Sequence, residues 1–214
     1  MGLMTNKLHD PQKWLEEVNR EWDIFQHDYL FDMEDKIYVS QIKNKEIKGL
    51  CLREKEVYFN DNLAGDIKRE YQIQNKDTIN AVSDELKRHL SKIFNTNVSS
   101  ISLYDNITNN IDLWINYQRK NEFNPLHSHA GQLSFVFYAS IPEEIRNEHK
   151  ESHSVNTQAR GLIQFLSNRT SGKMLFNPRE DDLLIFKSDH MHQVYPFYSD
   201  NTRISIAGNI HGWD

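Results

Sequence analysis

Residues 132–140 read QLSFVFYAS, a run that is almost entirely apolar or aromatic. Such a run is typical of a strand that is covered on both faces. Further short apolar runs follow one another in the second half of the chain: IDLWINYQ (111–118), GLIQFLS (161–167), KMLFN (173–177), DDLLIFK (181–187), HQVYPF (192–197) and TRISIAGNI (202–210). About seven short strands in roughly 100 residues, separated by polar turns, predict a β-sandwich or barrel such as a jelly roll.

The first hundred residues carry two helical patterns. Asp10-Pro11 is typical of a helix N-terminus. The residues that follow place apolar side chains on one helical face: Trp14, Leu15, Val18, Trp22 and Phe25. Asp77 or Thr78 is expected to cap a second helix, which continues with the same apolar spacing to Ile93.

Two further strands and the domain organisation complete the predicted fold. The runs KIYVSQI (36–42) and EVYFN (56–60) predict strands between the two helices. No repeat or low-complexity segment divides the chain, and 214 residues suit one hydrophobic core. We expect a single domain over 1–214, in which helices and strands of residues 1–100 support a jelly-roll core at 105–214.

Composition and charge exclude several classes of protein. A formal charge of −6 gives no overall attraction to nucleic-acid phosphates or anionic lipids, which argues against a nucleic-acid partner. The single cysteine, Cys51, excludes an intrachain disulfide framework and a multi-cysteine zinc site, and it suits a reducing compartment. The sequence shows no long apolar run and no apolar core of a signal peptide at its N-terminus. We therefore expect a soluble, intracellular, cytoplasmic protein that does not enter a membrane.

Four of the ten histidines form two pairs with the same spacing, His127/His129 and His190/His192. On an extended segment residues i and i+2 point the same way, so each pair can present two imidazoles to one side. Neutral imidazole is a ligand for iron, zinc, copper and nickel. Two ligands near one strand end and a third from a distant strand would form a metal site with open positions. A single pair, by contrast, is more often structural or at the surface.

A third polar pair, Arg203 and Ser205, lies in the otherwise apolar run TRISIAGNI. The alternation of a strand places both side chains on one face. A guanidinium that faces the interior needs an anionic partner, since an unpaired buried charge is very costly. That partner is either a carboxylate of the protein or a dicarboxylate ligand held by the arginine and the serine hydroxyl. One turn after His192 would bring this pair beside the metal site.

Five short motifs follow one another between residues 111 and 210: Trp114-Ile-Asn116, His127-Ser-His129, Leu133-Ser134 with Tyr138, His192-Gln-Val194-Tyr-Pro196, and Arg203-Ile-Ser205. With these motifs the sequence resembles the 2-oxoglutarate- and Fe(II)-dependent oxygenase superfamily, in particular a bacterial and phage group with an H-x-H motif. The resemblance implies a mainly β fold with flanking helices, in which a double-stranded β-helix (jelly-roll or cupin-like) core is buttressed by N-terminal helices. It also implies a dioxygenase that uses Fe(II), 2-oxoglutarate and O2 to hydroxylate or otherwise oxidise a substrate, with release of succinate.

The resemblance assigns roles to individual residues of these motifs. It implies that His127 and His192 bind iron as the proximal and distal histidines. It implies that Arg203 and Ser205 hold the far carboxylate of 2-oxoglutarate. Tyr138 is implied as a further contact to 2-oxoglutarate, although its position equally suits a core aromatic residue.

His129 stands where most of the superfamily has an aspartate or glutamate ligand. Three interpretations follow: a site of three histidines, a carboxylate from elsewhere with Asp189 as the nearest candidate, or a site without iron chemistry. The site formed by His127, His129 and His192 is favoured, because H-x-H is usual in this group. His190 shares a face with His192 and is a candidate fourth ligand or base, but the H-x-V-x-P match selects His192.

The sequence leaves the substrate and two rival functions open. Members of the superfamily act on prolines and other residues, modified bases or small metabolites, so a small-molecule or peptidyl substrate is expected. Residues 142–160 form either a lid over the site or a solvated loop, and the protein is a monomer or a homodimer. A cupin-type metalloprotein without 2-oxoglutarate would also carry H-x-H and a later histidine on a jelly roll. A non-enzymatic jelly-roll module would instead bind a sugar or a protein partner.

Overall fold

A computed structural model describes residues 36–53, 57–59, 63–93, 107–150, 159–167 and 172–211. The helix expected after Asp10-Pro11 lies outside these residues. The described strands are β1 (Ile37–Gln41), β2 (Val57–Tyr58), β3 (Glu70–Gln72), β4 (Ile111–Gln118), β5 (Asn124–His127), β6 (Leu133–Ser140), β7 (Ile163–Leu166), β8 (Lys173–Phe176), β9 (Asp182–Lys187), β10 (His192–Val194) and β11 (Arg203–Ile210). The described helices are α1 (Lys45–Cys51), α2 (Lys76–Ile93) and α3 (Glu143–Asn147), with short 3-10 turns at Ile107–Asn109 and Glu148–Lys150.

The strands form two antiparallel sheets. The larger sheet has the order β1–β9–β6–β11–β4–β3–β2, and the smaller has the order β5–β10–β7–β8. In both sheets most neighbours are far apart in sequence, so the chain passes back and forth between the two layers. This is the arrangement of a double-stranded β-helix, and the predicted fold class is confirmed.

Two apolar cores lie on opposite faces of the larger sheet. The first lies between the sheets, where side chains of β7 and β8 meet those of β6 and β9. The second lies on the other face, where Val82, Leu86 and Leu90 of α2 pack against β4, β6, β9 and β11. Helix α2 covers the outer face of the larger sheet. The inner face, which faces the smaller sheet and also contributes to the first core, therefore stays available for a site.

The predicted second helix is present, but its start differs from the prediction. The carboxamide oxygen of Asn75 accepts the backbone N–H of Asp77 at 2.9 Å and that of Thr78 at 3.3 Å, so Asn75 is the N-cap. The prediction that Asp77 or Thr78 caps the helix was therefore wrong. Asparagine caps as well as aspartate does, and Asp77 lies inside the first turn, where its charge favours the positive end of the helix dipole.

The predicted strands are present, and each ends within three residues of its predicted bounds. The strand expected at 111–118 is confirmed in full as β4. The polar segment 142–160 contains α3 and one 3-10 turn, and its residues 151–158 lie outside the described part of the chain. A lid function for this segment, and the division of the domain near residue 100, stay predictions. Within the described residues, no helix is long and apolar enough to span a membrane.

Candidate metal centre

Three histidines from two strands and one loop meet at one edge of the smaller sheet. His127 ends β5, His129 follows two residues later, and His192 begins β10. His192 stands directly opposite His127 in the antiparallel pairing of β5 and β10. One nitrogen from each imidazole lies within 4.8 Å of the others, and the ring centroids are 4.3 to 5.1 Å apart. In the part of the chain that the structure describes, no other group of histidine, cysteine or acidic side chains has this geometry.

Backbone carbonyls fix the tautomers of two of these histidines. Nδ1 of His127 lies 2.7 Å from the carbonyl oxygen of Pro125, and Nδ1 of His192 lies 2.8 Å from that of His190. A carbonyl oxygen can only accept, so each Nδ1 carries the proton and donates it. The lone pair of each ring is therefore on Nε2. This is the arrangement in which a histidine that binds a metal donates its other ring N–H to an acceptor.

Burial keeps the three imidazoles neutral. Desolvation, and then repulsion from His127, lower the pKa of His192 to about 3 and that of His129 to about 4. Desolvation also lowers the pKa of His127. The aromatic ring of Phe165 stacks on His192 at 5.7 Å between centroids. Neutral imidazole is the form that binds a metal ion, so the three histidines have lone pairs available for a metal at neutral pH.

The structure does not bring the alternative ligands into this cluster. Asp189 is exposed, and its carboxylate pairs with Nζ of Lys187 at 3.5 Å. His190 is buried, but its ring contacts the edge of Phe165 at 5.4 Å and its nitrogens are not part of the cluster. His129, in contrast, lies in the cluster with its ring 6.0 Å from that of Trp114. The described residues therefore assemble three histidines and no carboxylate.

Arg203 lies at the start of β11 and is almost completely buried, with 2% of its surface exposed. Its Nε donates to Oε1 of Gln118 at 3.0 Å, its Nη2 donates to the same oxygen, and its Nη1 donates to the carbonyl oxygen of Gly161 at 2.6 Å. Among the described residues no carboxylate pairs with it. Burial lowers the pKa of Arg203, yet an arginine stays charged in proteins. The protein carboxylate that the sequence left open as its partner is absent from the described residues.

Ser205 and Tyr138 lie next to Arg203 on the inner face of the larger sheet. They stand opposite each other in the pairing of β11 with β6, and Nδ2 of Asn116 donates to Oγ of Ser205 at 3.4 Å. Burial raises the pKa of Tyr138 to about 12, so its hydroxyl is neutral. The ring centroid of Tyr138 lies 5.9 Å from the guanidinium carbon of Arg203.

One cavity, open to solvent on one side, joins the histidines to the arginine. Its floor includes Trp114, Asn116 and Gln118, which share the inner face of β4. Trp114 contacts the histidine end and Gln118 contacts the arginine end. Trp114 and Gln118 are four residues apart on this extended strand, so the two ends of the cavity floor are separated by about 13 Å. The cavity therefore offers a neutral nitrogen cluster at one end and a buried positive charge at the other.

Two polar residues of this cavity, Gln118 and Glu70, are not predicted by the sequence, and a third, Asn116, enters only as part of a motif. Glu70 of β3 is 1% exposed, and burial together with the charge of Glu122 raises its pKa to about 8. For Gln118 and Asn116 the sequence contains a signal, because strand alternation places both on the same face of β4 as Trp114. For Glu70 there was none, because β3 is short and polar.

Comparison with known proteins identifies a family that this chain resembles. Residues 112–209 match the family model described as "Putative 2OG-Fe(II) oxygenase". The resemblance to the 2-oxoglutarate- and Fe(II)-dependent oxygenases is confirmed. The matched segment runs from β4 to β11 and contains all six residues to which the sequence assigned a role. No curated protein matches the sequence.

Solved structures of two prolyl hydroxylases and of one 2OG-Fe(II) oxygenase share the fold. A prolyl-4-hydroxylase of Pseudomonas putida superposes with a TM-score of 0.57 at 12% identity, over 92% of this chain and 100% of that chain. A prolyl hydroxylase of Trichoplax adhaerens, in complex with a hypoxia inducible factor peptide fragment, gives 0.51 at 10% identity, over 94% and 93% of the two chains. An oxidoreductase of the 2OG-Fe(II) oxygenase family from Burkholderia pseudomallei gives 0.51 at 14% identity, over 77% and 76%. At these identities the likeness concerns the fold alone.

Proposed function

We propose that this protein is a 2-oxoglutarate- and Fe(II)-dependent dioxygenase that hydroxylates its substrate. One observation carries the proposal: a cluster of three neutral histidines lines the same cavity as a buried arginine, which has no carboxylate partner among the described residues. Neither feature alone is specific. Together they match the two ends of a small molecule that binds a metal with one end and presents a carboxylate at the other.

The histidine cluster fits Fe(II). Imidazole is a common ligand of iron, and three ligands on one side leave coordination positions open. His127, His129 and His192 would hold the ion, two of them through Nε2, as their hydrogen bonds to backbone carbonyls require. His129 takes the place of a carboxylate, so the ligand set brings no negative charge to the metal.

The arginine end fits the far carboxylate of 2-oxoglutarate. Arg203 is held in place by the two oxygen acceptors already described, so its fork is oriented before a ligand arrives. A carboxylate can pair with a guanidinium through two hydrogen bonds. Ser205 supplies a hydroxyl on the same face, and the neutral phenol of Tyr138 is a further donor.

Fe(II) with 2-oxoglutarate and O2 supplies an oxidising reaction, in which 2-oxoglutarate loses CO2 to give succinate and the substrate gains a hydroxyl group. The residues of this chain contribute position and surroundings. Strand pairing holds His127 and His192, and Arg203 and Ser205 would orient the co-substrate. Trp114 and Phe165 place aromatic rings against His129 and His192.

A peptidyl residue such as proline, or a small metabolite, is the proposed substrate class. The support is the likeness of the fold to two prolyl hydroxylases. We propose a test with short proline-containing peptides, Fe(II), 2-oxoglutarate and air, in which mass spectrometry detects the gain of one oxygen atom. Succinate formation is measured in the same samples.

The decisive experiment measures metal and 2-oxoglutarate binding without a substrate. Protein purified without oxygen is loaded with Fe(II), and its thermal unfolding is followed with and without 2-oxoglutarate. A ligand at 100 times its Kd adds about 2.7 kcal/mol to the stability of the native state. An oxygenase shows one metal per chain and an added stabilisation by 2-oxoglutarate. A cupin-type protein shows the metal only, and a non-enzymatic binding module shows neither, so either outcome overturns the proposal.

A further inference from the structure

Three buried polar side chains form a hydrogen-bond network that includes Ser188, whose backbone contacts the loop that carries His129. Oγ of Ser134 lies 2.9 Å from Oγ of Ser188 and 2.7 Å from Oδ1 of Asn209. Each hydroxyl has one proton, and the amide oxygen of Asn209 can only accept. Ser134 therefore donates to Asn209, and Ser188 donates to Ser134. We call these three residues the Ser134 network; all three are buried, Ser188 completely.

The backbone of Ser188 connects this network to His129. The carbonyl oxygen of Ser188 accepts the N–H of His129 at 2.8 Å, and the N–H of Ser188 donates to the carbonyl oxygen of Gln132 at 3.2 Å. Both ends of the turn 129–132 are thus bound to one residue. Inside this turn Gly131 has a φ of +112°, a conformation that favours glycine.

His129 needs this support more than the other two histidines do. His127 and His192 lie on paired strands, and each ring is also bound to a backbone carbonyl. His129 lies in the loop after β5. The position of the His129 backbone in space therefore depends on its hydrogen bond to Ser188. The side chain of Ser188 is anchored through Ser134 to Asn209 on β11, in the middle of the larger sheet.

We infer that the Ser134 network positions His129 as the third metal ligand. This inference rests on the proposed metal site. Replacing Ser134 by alanine leaves the hydroxyl of Ser188 and the amide oxygen of Asn209 without their partner in a buried place, and this is destabilising for the turn. Groups that orient a metal ligand typically contribute about 10- to 100-fold to metal affinity. We expect Ser134→Ala to weaken metal binding by that factor.

A double-mutant cycle separates positioning from general damage to the fold. The probe is Co(II) alone, whose visible absorption reports both affinity and ligand geometry. Co(II) is titrated into the wild type, Ser134→Ala, His129→Ala and the double variant. If Ser134 acts through His129, it changes Co(II) affinity in the wild-type background but not in the His129→Ala background. Ser140→Ala, on the same strand and half-buried, is the matched control and leaves affinity unchanged.

The outcomes distinguish this inference from the proposed function. If the wild type does not bind Co(II), the proposed metal site is wrong. If it binds and Ser134→Ala binds equally well with the same spectrum, the positioning role is wrong and the metal site stands. An equal loss of affinity in both backgrounds also overturns the positioning role. Ser188→Ala is carried through the same cycle, because it keeps the backbone contacts to His129 and is the milder change if Ser134→Ala does not fold.

Discussion

Glu70 gives a prediction about stability that can be worked out from the structure. Its carboxyl group lies in the cavity wall, opposite Asn116 in the pairing of β3 with β4. Burial, and then the negative charge of Glu122, raise its pKa from 4.5 to about 8. We predict that Glu70→Gln, which keeps the shape and removes the titration, becomes more stable relative to the wild type as the pH rises.

The sign follows from the protons that each state binds. Between pH 4.5 and about 8 the folded protein keeps the proton on Glu70, whereas the unfolded chain has released it. The stability of the wild type therefore decreases with rising pH over this window. Each pH unit within the window accounts for about 1.36 kcal/mol. By pH 8 the free energy of unfolding of the wild type has therefore decreased by at most about 4 to 5 kcal/mol. The glutamine variant does not titrate at this position, so it does not lose this stability.

Urea unfolding of the metal-free protein at pH 5, 6.5, 8 and 9 measures this difference. Titrating groups that do not interact with Glu70 contribute equally to both proteins and cancel in the comparison. Glu144→Gln, at an exposed glutamate of α3, is the matched control for replacing a glutamate by glutamine. A difference between wild type and Glu70→Gln that stays constant from pH 5 to 9 would refute the argument.

Three further predictions concern the two ends of the cavity. Arg203→Met should abolish the stabilisation by 2-oxoglutarate in thermal unfolding while Fe(II) binding, measured by metal analysis, remains. Gln118→Glu should weaken 2-oxoglutarate binding at least tenfold in calorimetry, because an internal carboxylate beside Arg203 would compete with the ligand for the guanidinium; unchanged affinity would contradict this. His192→Ala should lose Fe(II), whereas His190→Ala should retain one ion per chain, and the reverse result would show that the ligand assignment is wrong.

The parts of the fold that the sequence predicted are those that rest on apolar patterning. The run 111–118 became β4 without change, because both of its faces are covered and its pattern is long. Strand β3 has only three residues, two of them polar, and it is held by its pairing with β4, which no local pattern records. Helix α1 is similarly short. The cap at Asn75 was missed because Asp77 and Thr78 are also good capping residues, and only the hydrogen bonds distinguish them.

The candidate site was also predictable only in part, because its tertiary contacts leave no local pattern in the sequence. The order of the motifs was sufficient to propose His127, His129 and His192, and the two-residue spacing within a strand grouped Arg203 with Ser205. What the sequence could not show is the partner of Arg203. A buried charge is expected to meet an opposite charge, so the sequence predicts a carboxylate of the protein or of a ligand, whereas the structure pairs Arg203 with neutral oxygens.

Those neutral partners affect how the cavity can bind an anion. A carboxylate beside the guanidinium would neutralise it in the folded protein, and an anionic ligand would then have to displace a charged group. Gln118 and Gly161 supply carbonyl oxygens instead, which set the direction of Arg203 but leave its charge. The side chain is ordered before a ligand binds, so binding does not carry the entropic cost of ordering it. Among the described residues no counter-ion faces this buried charge, and such a charge has a free-energy cost. In the proposed function, the far carboxylate of 2-oxoglutarate would relieve that cost in the position where the rest of the molecule extends toward the histidines.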